Sequence, residues 1–585
     1  MSHPRLVVAA VTSLVLGSVV LFSPGAATGA PAGAAAQKLS VHKVGTARLA
    51  GGHSAAPGAG ELRPDGEAGE ALKAVRNRSP RSRAKHTPPT PLSGINPTQT
   101  LAVARPATSG WRALNHYEQR SADNGNQYSL VPPDQALCAG NGQVFEGVNN
   151  AFRVYRTTGA PLTDVVSANQ FLFQDTEFDR TTGVASPHQV GDPSCVYDAG
   201  SNRFFLTTYE LVGDSAGNLL GPSFVDVAVS PLGSALGTWS VYKIDTTDAG
   251  GEGCPCFGDY PHLGTDANGL YITTNEFSTL GSAYNGAQVY AIDKAALAAG
   301  SATVPGAHFD TSDQDNLNGA VIDGYSLAPA VSAGTAYAPN TMYFLSSDAD
   351  AGDTSVTSSQ ILQWKIANTS ALTSSPGSLA LTHVTVGVNP YAIAPVSDQK
   401  VGPTPLADCL NLTSCAKVLL GKPNRYKEYE YALDSNDTRM LQSAYADGKV
   451  WGALDTAVDV DHLARAGVAY YALDATSSRV AKQGTLSVAG AQNITYPALG
   501  VTSDGRAAMT FSLVGTCYYP SAAYATLTAA PNAPVSSIKV PGIGVGPDDS
   551  FGGYRAYEYN HPRWGDYSAA SVVGGQVYLA SEYIA

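Results

Sequence analysis

Hydrophobic and polar residues follow one another in short blocks along most of the chain, in a pattern that predicts pairs of β-strands. In GDYPHLGTDANGLYITTNEF (residues 258–277), a partly apolar run is followed by the turn sequence DANG and then by a run rich in aromatic and β-branched residues. Gly and Asn in such a turn accept the positive φ of a tight hairpin, and the flanking runs are typical of half-buried strands. The stretch therefore predicts a β-hairpin.

The same hairpin pattern occurs seven times, in copies that begin at residues 132, 191, 258, 327, 437, 496 and 565. Several copies continue into a third strand, as in AQVYAIDKAAL from Ala287 and AYYALDATSSRV from Ala469. Seven repeats of about four strands are the arrangement of a β-propeller. We therefore predict an all-β fold, a seven-bladed β-propeller.

The last copy leaves room for only two strands before the printed sequence ends. An open ring would expose sheet edges, so we expect the last blade to be closed by strands from the N-terminal segment, residues 98–130. A sandwich pair or an α/β fold is disfavoured because no series of amphipathic helices is present. Only residues 294–299 and 461–466 predict short helical turns.

The first residues have the composition of a secretory signal peptide. An apolar run over residues 6–22 is followed by small residues, and Ala30-Pro31-Ala32 or Ala34-Ala35-Ala36 would suit signal peptidase. An uncleaved membrane anchor is the alternative, but the run is short for a span. We expect a signal peptide over residues 1–36, a disordered Ala/Gly/Pro-rich basic arm over 37–94, and one propeller over 95–585 with an insertion at about 395–432.

Charge is distributed unevenly between this arm and the rest of the chain. Residues 1–92 hold 11 Lys and Arg against 4 Asp and Glu, so the remaining 24 basic and 44 acidic residues give a formal charge of −20. A body this acidic argues against nucleic acid as a ligand. The basic run RNRSPRSRAKH (residues 76–86) is interpreted as part of a solvated arm, with an anionic-surface contact or a protease-sensitive pro-segment as alternatives.

Seven cysteines in an exported chain predict disulfides with one thiol left over. Cys409 and Cys415 lie close together in the Pro-rich insertion, so we predict a bond between them. A bond between Cys254 and Cys256 is disfavoured on strain grounds because Pro255 separates them. The C-x-C sequence also lacks a second Cys or His pair at zinc-site spacing.

Acidic residues recur at equivalent places in the repeats. In a propeller, second strands end beside the starts of first strands, so these acids should line one face of the ring. His188, His262, Arg439 and Arg563 should lie on or near that face. The acids at first-strand starts are Asp134, Asp192, Asp259, Asp437 and Asp566, and those at second-strand ends are Glu210, Glu276, Asp348, Asp455 and Glu582.

Such a rim of carboxylates supports several interpretations. It could bind a divalent cation such as Ca²⁺, hold sugar hydroxyls, or supply the acid and base of a glycosidase. The structural alternative is that the acids accept backbone hydrogen bonds between blades, which their repetition favours. We expect Asp192, Glu210, Asp259 and Glu276 to gather in one sector, near His188 and His262.

The sequences PPDQALCAGNGQVFEGVNNAFRVY, GDPSCVYD, GDYPHLGTDANGLYITTNEF, DTRMLQSAYADGKVWGALDT, AQNITYPALG and RWGDYSAA together resemble a group of uncharacterised secreted bacterial propeller proteins of the actinobacterial type. The resemblance covers residues 111–585. It implies a seven-bladed, sialidase-like or WD40-like propeller and supplies no catalytic residue. Sialidase Asp-boxes are absent in good form, and no G-x-S-x-G, HExxH or phosphate-loop sequence occurs.

Two classes of function are compatible with these features. We expect a secreted, extracellular and monomeric protein without a membrane span after signal cleavage, which binds a glycan, a cell-wall component or a protein on its funnel face without catalysis. The alternative is a secreted glycoside hydrolase or lyase that uses a carboxylate pair at the funnel. An open pocket with carboxyl groups about 5–5.5 Å or about 6.5–9.5 Å apart would favour the hydrolase, and a filled, narrow channel would favour the binding module.

Overall fold

The structure is a computed structural model and describes residues 33–49, 95–104, 110–128, 130, 132–248, 254–279, 284–312, 314–315, 321–322, 324–348, 357–404, 412, 414, 432–528, 530–548, 555–556 and 561–585. Ala32–Ala585 form one compact unit. Within it, antiparallel strands account for most of the regular structure and helices are few and short. The prediction of an all-β protein is confirmed.

Among the described residues, four strands precede the repeats, and a short helix follows them. The helix α1 (His116–Ser121) begins at a capping box, because Asn115 accepts from the Glu118 backbone N–H and Glu118 accepts from that of Asn115. The strands are β1 (Gly33–Ala35), β2 (Gln37–Arg48), β3 (Gln99–Leu101) and β4 (Val103–Ala104).

Consecutive strands within the repeats pair antiparallel, and we divide them into seven groups that follow the seven sequence copies, each beginning with what we term its first strand. Group one comprises β5 (Gln135–Gly140), β6 (Gln143–Val148), β7 (Ala151–Arg156) and β8 (Val166–Ser167), followed by α2 (Ala168–Leu172) and the hairpin β9 (Phe178–Asp179) and β10 (Val184–Ala185). Group two comprises β11 (His188–Asp198), β12 (Arg203–Gly213), β13 (Leu219–Val229) and β14 (Thr238–Asp245). Group three comprises β15 (Cys256–Thr265), β16 (Gly269–Ser278), β17 (Tyr284–Asp293), α3 (Lys294–Ala298) and β18 (Thr303–Asp310), with the hairpin β19 (Gln314–Asp315) and β20 (Val321–Ile322) after it.

Groups four to seven follow one another along the chain. Group four comprises β21 (Ala328–Ser332), β22 (Thr341–Ser347), β23 (Thr357–Ala367) and β24 (Ala380–Ala392), with 3₁₀ turns at Thr369–Thr373 and Pro376–Ser378. Group five comprises β25 (Gln442–Ala446), β26 (Lys449–Val460), β27 (Leu463–Asp474) and β28 (Val480–Val488). Group six comprises β29 (Gln492–Val501), β30 (Arg506–Gly515), β31 (Tyr518–Thr528) and β32 (Ile538–Gly542), and after the hairpin β33 (Arg555–Ala556) and β34 (His561–Pro562), group seven comprises β35 (Ala569–Val573) and β36 (Gln576–Ala580).

The first strands of the seven groups lie beside one another. β5, β11, β15, β21, β25, β29 and β35 are each in contact with the next, and β35 is also in contact with β5. A disulfide between Cys138 and Cys195 joins the first strands of groups one and two. The core lies between neighbouring groups, so that one cluster holds Val227 of group two with Ile272 of group three.

Several first strands carry a β-bulge at a residue with positive φ. The pairing shifts between Gly191 and Ser194 in β11 and between Asp259 and His262 in β15, and the residues at the shift are Asp192 (φ 49°) and Tyr260 (φ 58°). A bulge redirects the side chains on either side of it. Asp192 is therefore equivalent to Tyr260, and not to Asp259 as the shared Gly-Asp sequence suggested.

The N-terminal strands lie along the outer edges of the groups. β1 pairs with β24, β2 pairs with both β14 and β18, β3 pairs with β28, and β4 pairs with β32. The prediction of a disordered arm is therefore wrong for Gln37–Arg48, because this stretch is a strand that joins β14 and β18 in one nine-stranded sheet. Residues 50–94 of that arm lie outside the described residues.

The expected source of the last outer strands also needs correction. β3 and β4 extend groups five and six, where β28 and β32 offer free edges. Residues 115–128 contact group one and the hairpin after it, because Gln119 donates to Asn150 and Arg180 donates to the Gly125 carbonyl. No pairing of β36 with residues 98–130 occurs among the described residues. The helix expected at residues 294–299 is present as α3, whereas residues 461–466 form the β26–β27 turn and the start of β27.

The cysteines follow the predictions only in part. Cys254 and Cys256 form a disulfide, contrary to expectation, because the chain turns back between them and brings their Cα atoms to 4.4 Å, within the range that a disulfide spans. Cys517 is an exposed free thiol. The predicted Cys409–Cys415 bond lies outside the described residues.

Candidate functional site

His188, at the start of β11, has a side chain that is 31% exposed and held by buried neighbours. Its Nδ1 atom lies 2.6 Å from Glu210 Oε1 in β12, and Glu210 is fully buried. The imidazole stacks on Phe173 with ring centroids 4.0 Å apart, and the His188 carbonyl accepts a hydrogen bond from Asn169 Nδ2. Because Glu210 engages Nδ1, Nε2 is the ring nitrogen left for a partner outside this cluster.

Lys243 in β14 and Asp226 in β13 complete the cluster, which we term the His188 cluster. Lys243 Nζ is ion-paired with Glu210 Oε2 and lies 4.0 Å from Asp226 Oδ1. Burial would raise the pKa of Glu210, but the hydrogen bond with His188 and the charge of Lys243 bring that pKa below its usual value. Burial and the neighbouring Glu210 raise the pKa of Asp226 well above its usual value, so this pair favours one neutral and one ionised carboxyl.

Glu276, in β16, has different neighbours. Thr274 Oγ1 and the Tyr290 hydroxyl donate to its Oε1 at 2.9 and 3.4 Å, and its buried Oε2 has no hydrogen-bond partner among the described residues. Burial raises the pKa of Glu276 to about 8, and the carboxylates of Asp310 and Asp259 act in the same direction. Glu276 is therefore a buried acid that keeps its proton at neutral pH.

The four acids expected in one sector thus have separate surroundings. Glu210 contacts His188 and Lys243 of group two, whereas Glu276 contacts Thr274 and Tyr290 of group three. Asp192 is buried at its bulge and Asp259 is half-buried near Glu276. The one-residue offset of the Gly-Asp sequences places Asp192 and Asp259 at different positions of the bulge, whereas Glu210 and Glu276 hold equivalent positions and differ in their neighbours.

A second cluster, which we term the central cluster, joins groups that are not neighbours. The rings of Tyr260 in group three and Tyr567, just before group seven, lie 5.3 Å apart, and both belong to one buried cluster with Leu441, just before group five. Arg439 Cζ lies 4.9 Å from the Tyr260 ring centroid. His262 contacts both tyrosine rings, and its buried Nε2 has no hydrogen-bond partner within the described part of the chain.

The two basic side chains of the central cluster, His262 and Arg439, present no exposed positive charge. Burial lowers the pKa of His262 to about 3, and nearby Arg439 acts in the same direction, so the ring is neutral. Arg439 is ion-paired with Asp437 at 2.8 Å and donates to the Tyr325 hydroxyl. Arg439, Asp437 and Tyr325 are thus paired with one another inside the protein.

Other predicted rim residues are also engaged internally. Asp455 is fully buried and accepts from the backbone N–H of Tyr496, in the next group, at 2.8 Å. Arg563 and Asp566 are buried and ion-paired. The Asp455 bond is the group-to-group contact that the structural alternative anticipated.

The remaining acids have comparable surroundings. Asp134 is buried and accepts from Asn149 Nδ2 at 2.8 Å, and Asp348 accepts from Ser358 Oγ at 3.0 Å. Burial raises the pKa of Glu582 well above its usual value, and Asp548 and Asp134 act in the same direction. Within the described ranges, no three His, Cys, Asp or Glu side chains are arranged to hold a metal ion.

Sequence reasoning missed the strand residues that complete these clusters. Asp226 stands in the apolar run FVDVAV and Lys243 in SVYKID, and a charge inside a buried strand is the signal that could have revealed both. Tyr260 and Tyr567 follow Gly-Asp in two copies, and this repeated aromatic residue is the signal that could have revealed the central cluster.

A cavity of about 630 Å³ lies elsewhere, at the outer end of β2. Its lining includes Arg48, Arg153, Asp164 and Leu236, and none of the predicted site residues borders it. No helix among the described residues has the length and apolar character needed to cross a bilayer.

Comparisons with known proteins give no assignment. No family model matches the chain, and no curated protein matches it. Solved structures align weakly: an N10 neuraminidase-like protein of A/little yellow-shouldered bat/Guatemala/060/2010 (10% identity, 65% of this chain and 90% of that chain, TM-score 0.28), an exo-β-1,3-galactanase from Phanerochaete chrysosporium (9%, 66% and 77%, 0.28) and a GH43 endo-arabinanase from Bacillus licheniformis (13%, 59% and 96%, 0.26). Similarity at this level carries no argument about fold or activity.

Proposed function

We propose that this protein is a secreted β-propeller that binds an extracellular glycan, cell-wall component or protein without cleaving it. The seven groups correspond to seven blades. The successive contacts of the first strands, which return from β35 to β5, support this assignment. Blade edges are covered by the N-terminal strands β1 to β4, as expected where open edges would aggregate.

The central cluster is the observation that favours binding over hydrolysis. A glycosidase needs two carboxyl groups that face a substrate in an open pocket. Here Tyr260, Leu441 and Tyr567 pack together from non-neighbouring blades, and Arg439 is neutralised by Asp437. The filled centre leaves the ends of the blades, at the face where first strands begin, as the surface available for a ligand.

His188 is our candidate for ligand contact on that face. Its side chain is half-exposed, Phe173 and Glu210 fix its orientation, and its Nε2 atom is not engaged by Glu210. A fixed imidazole beside an aromatic ring suits a polar, partly apolar ligand such as a sugar or a peptide. Predicted site residues that are buried and paired, such as Asp455 and Asp566, then stabilise the fold and do not contact the ligand.

A pull-down on insoluble chitin, cellulose and bacterial peptidoglycan tests the contact. His188→Ala is expected to lower the bound fraction on whichever material retains the wild-type protein by about tenfold, the effect of losing one charged or oriented hydrogen bond. His42→Ala, on the exposed outer strand β2, is the matched control and should bind normally. Equal binding by the wild-type and His188→Ala proteins would show that His188 does not contact the ligand.

We also propose that the signal peptide ends at Ala32, earlier than the boundary at residue 36. β1 begins at Gly33, and Ala34 is buried against the outer part of group four. Cleavage after Ala36 would remove this strand and expose the edge of β24. Amino-terminal sequencing of exported protein is expected to start at Gly33, and a start at Gln37 would refute this boundary.

A further inference from the structure

The strand β2 connects the outer edges of two groups. Residues 37–42 pair antiparallel with residues 303–308 of β18, and residues 42–48 pair antiparallel with residues 238–243 of β14. The strand therefore passes from group three to group two without a break. His42 lies at the crossing point and is paired with both edges.

Two inward side chains anchor this strand. Val41 is 0% exposed and packs in a cluster with Val227 and Tyr242 of group two and Val304 of group three. Ala47 is 1% exposed and packs in a second cluster with residues of groups one and two. The side chain of Val44, between them, is 55% exposed. The edges thus accept an extended segment with small or β-branched residues at two inward positions.

The connection that follows β2, residues 50–94, is flanked on each side by a buried residue. Leu49 is buried in the same cluster as Phe145. On the other side, Ile95 is buried against Ala392 and Ala457, and its carbonyl accepts from the Asp459 N–H at 2.9 Å. Each side of residues 50–94 therefore has its own contacts with the body of the protein.

We propose that the edges of β14 and β18 form a strand-binding surface, and that its occupant is Gln37–Arg48 of this chain, held by strand pairing and by Val41 and Ala47. The covalent connection through residues 50–94 is not needed to keep the strand in place. A chain cut within that connection is a stable complex of two polypeptides, bound by addition of a strand to exposed sheet edges. This inference is independent of the proposed ligand.

The test uses the full chain with a site-specific protease sequence inserted between residues 60 and 65. After cutting, both fragments are expected to co-elute in gel filtration under native conditions and to separate only in denaturant. A fluorescent synthetic peptide of residues 33–49 should exchange slowly into the cut protein. Loss of the N-terminal fragment from the native peak would overturn the proposal.

Two substitutions in the same strand provide the control. In the cut protein, Val41→Asp is expected to speed dissociation of the N-terminal fragment by at least about tenfold, because it places a carboxylate in a buried apolar position. Val44→Asp, at an exposed position, should leave dissociation unchanged. Equal dissociation rates for the two variants would contradict the proposed surface, and the exchange of wild-type peptide gives an answer even if Val41→Asp fails to fold.

Discussion

Replacing Lys294 by Met is expected to lower the free energy of unfolding by about 3 kcal/mol, the usual effect of removing one partner from a buried ion pair. Lys294 Nζ lies 2.8 Å from Asp198 Oδ1 and also donates to the Asp266 carbonyl, and both Lys294 and Asp198 are buried. The Tyr337 hydroxyl donates to the same Asp198 oxygen at 2.5 Å. These contacts connect groups two, three and four at the ends of their first strands.

The exposed pair of Lys449 and Asp447 supplies the matched control. Its N–O distance is also 2.8 Å, but the Asp447 side chain is 51% exposed. Lys449→Met should therefore change the free energy of unfolding by less than about 1 kcal/mol. Urea denaturation monitored by tryptophan fluorescence measures both variants. Equal losses in the two would show that burial of the Lys294 pair has no bearing on stability.

The second large effect concerns the pH dependence of stability. The pKa of Glu276 is raised from 4.5 to about 8 by burial. A raised native pKa means that this group's stabilising effect is complete below pH 4.5 and is lost as the pH rises through 8, since the native state holds the proton more tightly than the unfolded state. Each tenfold increase in the proton affinity of the native state corresponds to about 1.4 kcal/mol in the cost of ionising Glu276 in place.

Glu276→Gln should therefore stabilise the protein at high pH. Glutamine keeps an oxygen for the Thr274 and Tyr290 hydroxyls and carries no charge to bury. We expect a gain of about 3–5 kcal/mol at pH 9 and a smaller gain at pH 5. Urea midpoints measured from pH 5 to pH 9 give the comparison. A variant that is less stable than the wild type at pH 9 would refute the account of Glu276.

Glu146 adds to the same trend and is a useful second case. Burial raises its pKa to about 7, even though the Leu114 backbone N–H donates to it at 3.0 Å. A Glu276→Gln/Glu146→Gln double variant should therefore lose less stability between pH 5 and pH 8 than Glu276→Gln alone. The difference between the two profiles of urea midpoint against pH is the contribution of Glu146.

The amino-acid sequence is sufficient to predict a pair of strands wherever the residues of the connecting turn form its typical side-chain hydrogen bonds. In DANG, Asp266 Oδ1 accepts from the backbone N–H groups of Asn268 and Gly269 at 2.8 and 2.6 Å, the side-chain bonding that makes Asp a turn residue. The hairpin of β15 and β16 follows directly. Local hydrogen bonding of this kind is encoded within a few residues.

Other features depend on contacts far apart in the chain. Gln37–Arg48 has few inward apolar residues and resembles a solvated arm, because its hydrogen-bond partners lie some 200 or more residues away in β14 and β18. Residues 461–466 resemble a helical turn, yet residues 463–474 pair along their length with β26. Pairing with a distant or long neighbouring strand overrides weak local preference.

The candidate site is predictable from the sequence only in part. The places of His188 and Glu210 in the repeat put both on one face, and they are hydrogen-bonded to each other. Their partners Asp226 and Lys243 come from third and fourth strands, whose alignment the repeat does not define. The one-residue bulge offset that separates Asp192 from Asp259 cannot be read from the sequence, because a shared Gly-Asp does not specify φ.

The most direct test of binding without cleavage measures both events on one sample. Wild-type protein is incubated with insoluble chitin, cellulose or peptidoglycan, and the bound protein and the released soluble sugar are measured over time. The central cluster and the paired rim acids predict that no sugar is released above the protein-free control, also from any material that retains the protein. Sugar release that rises in proportion to the amount of protein would contradict the account.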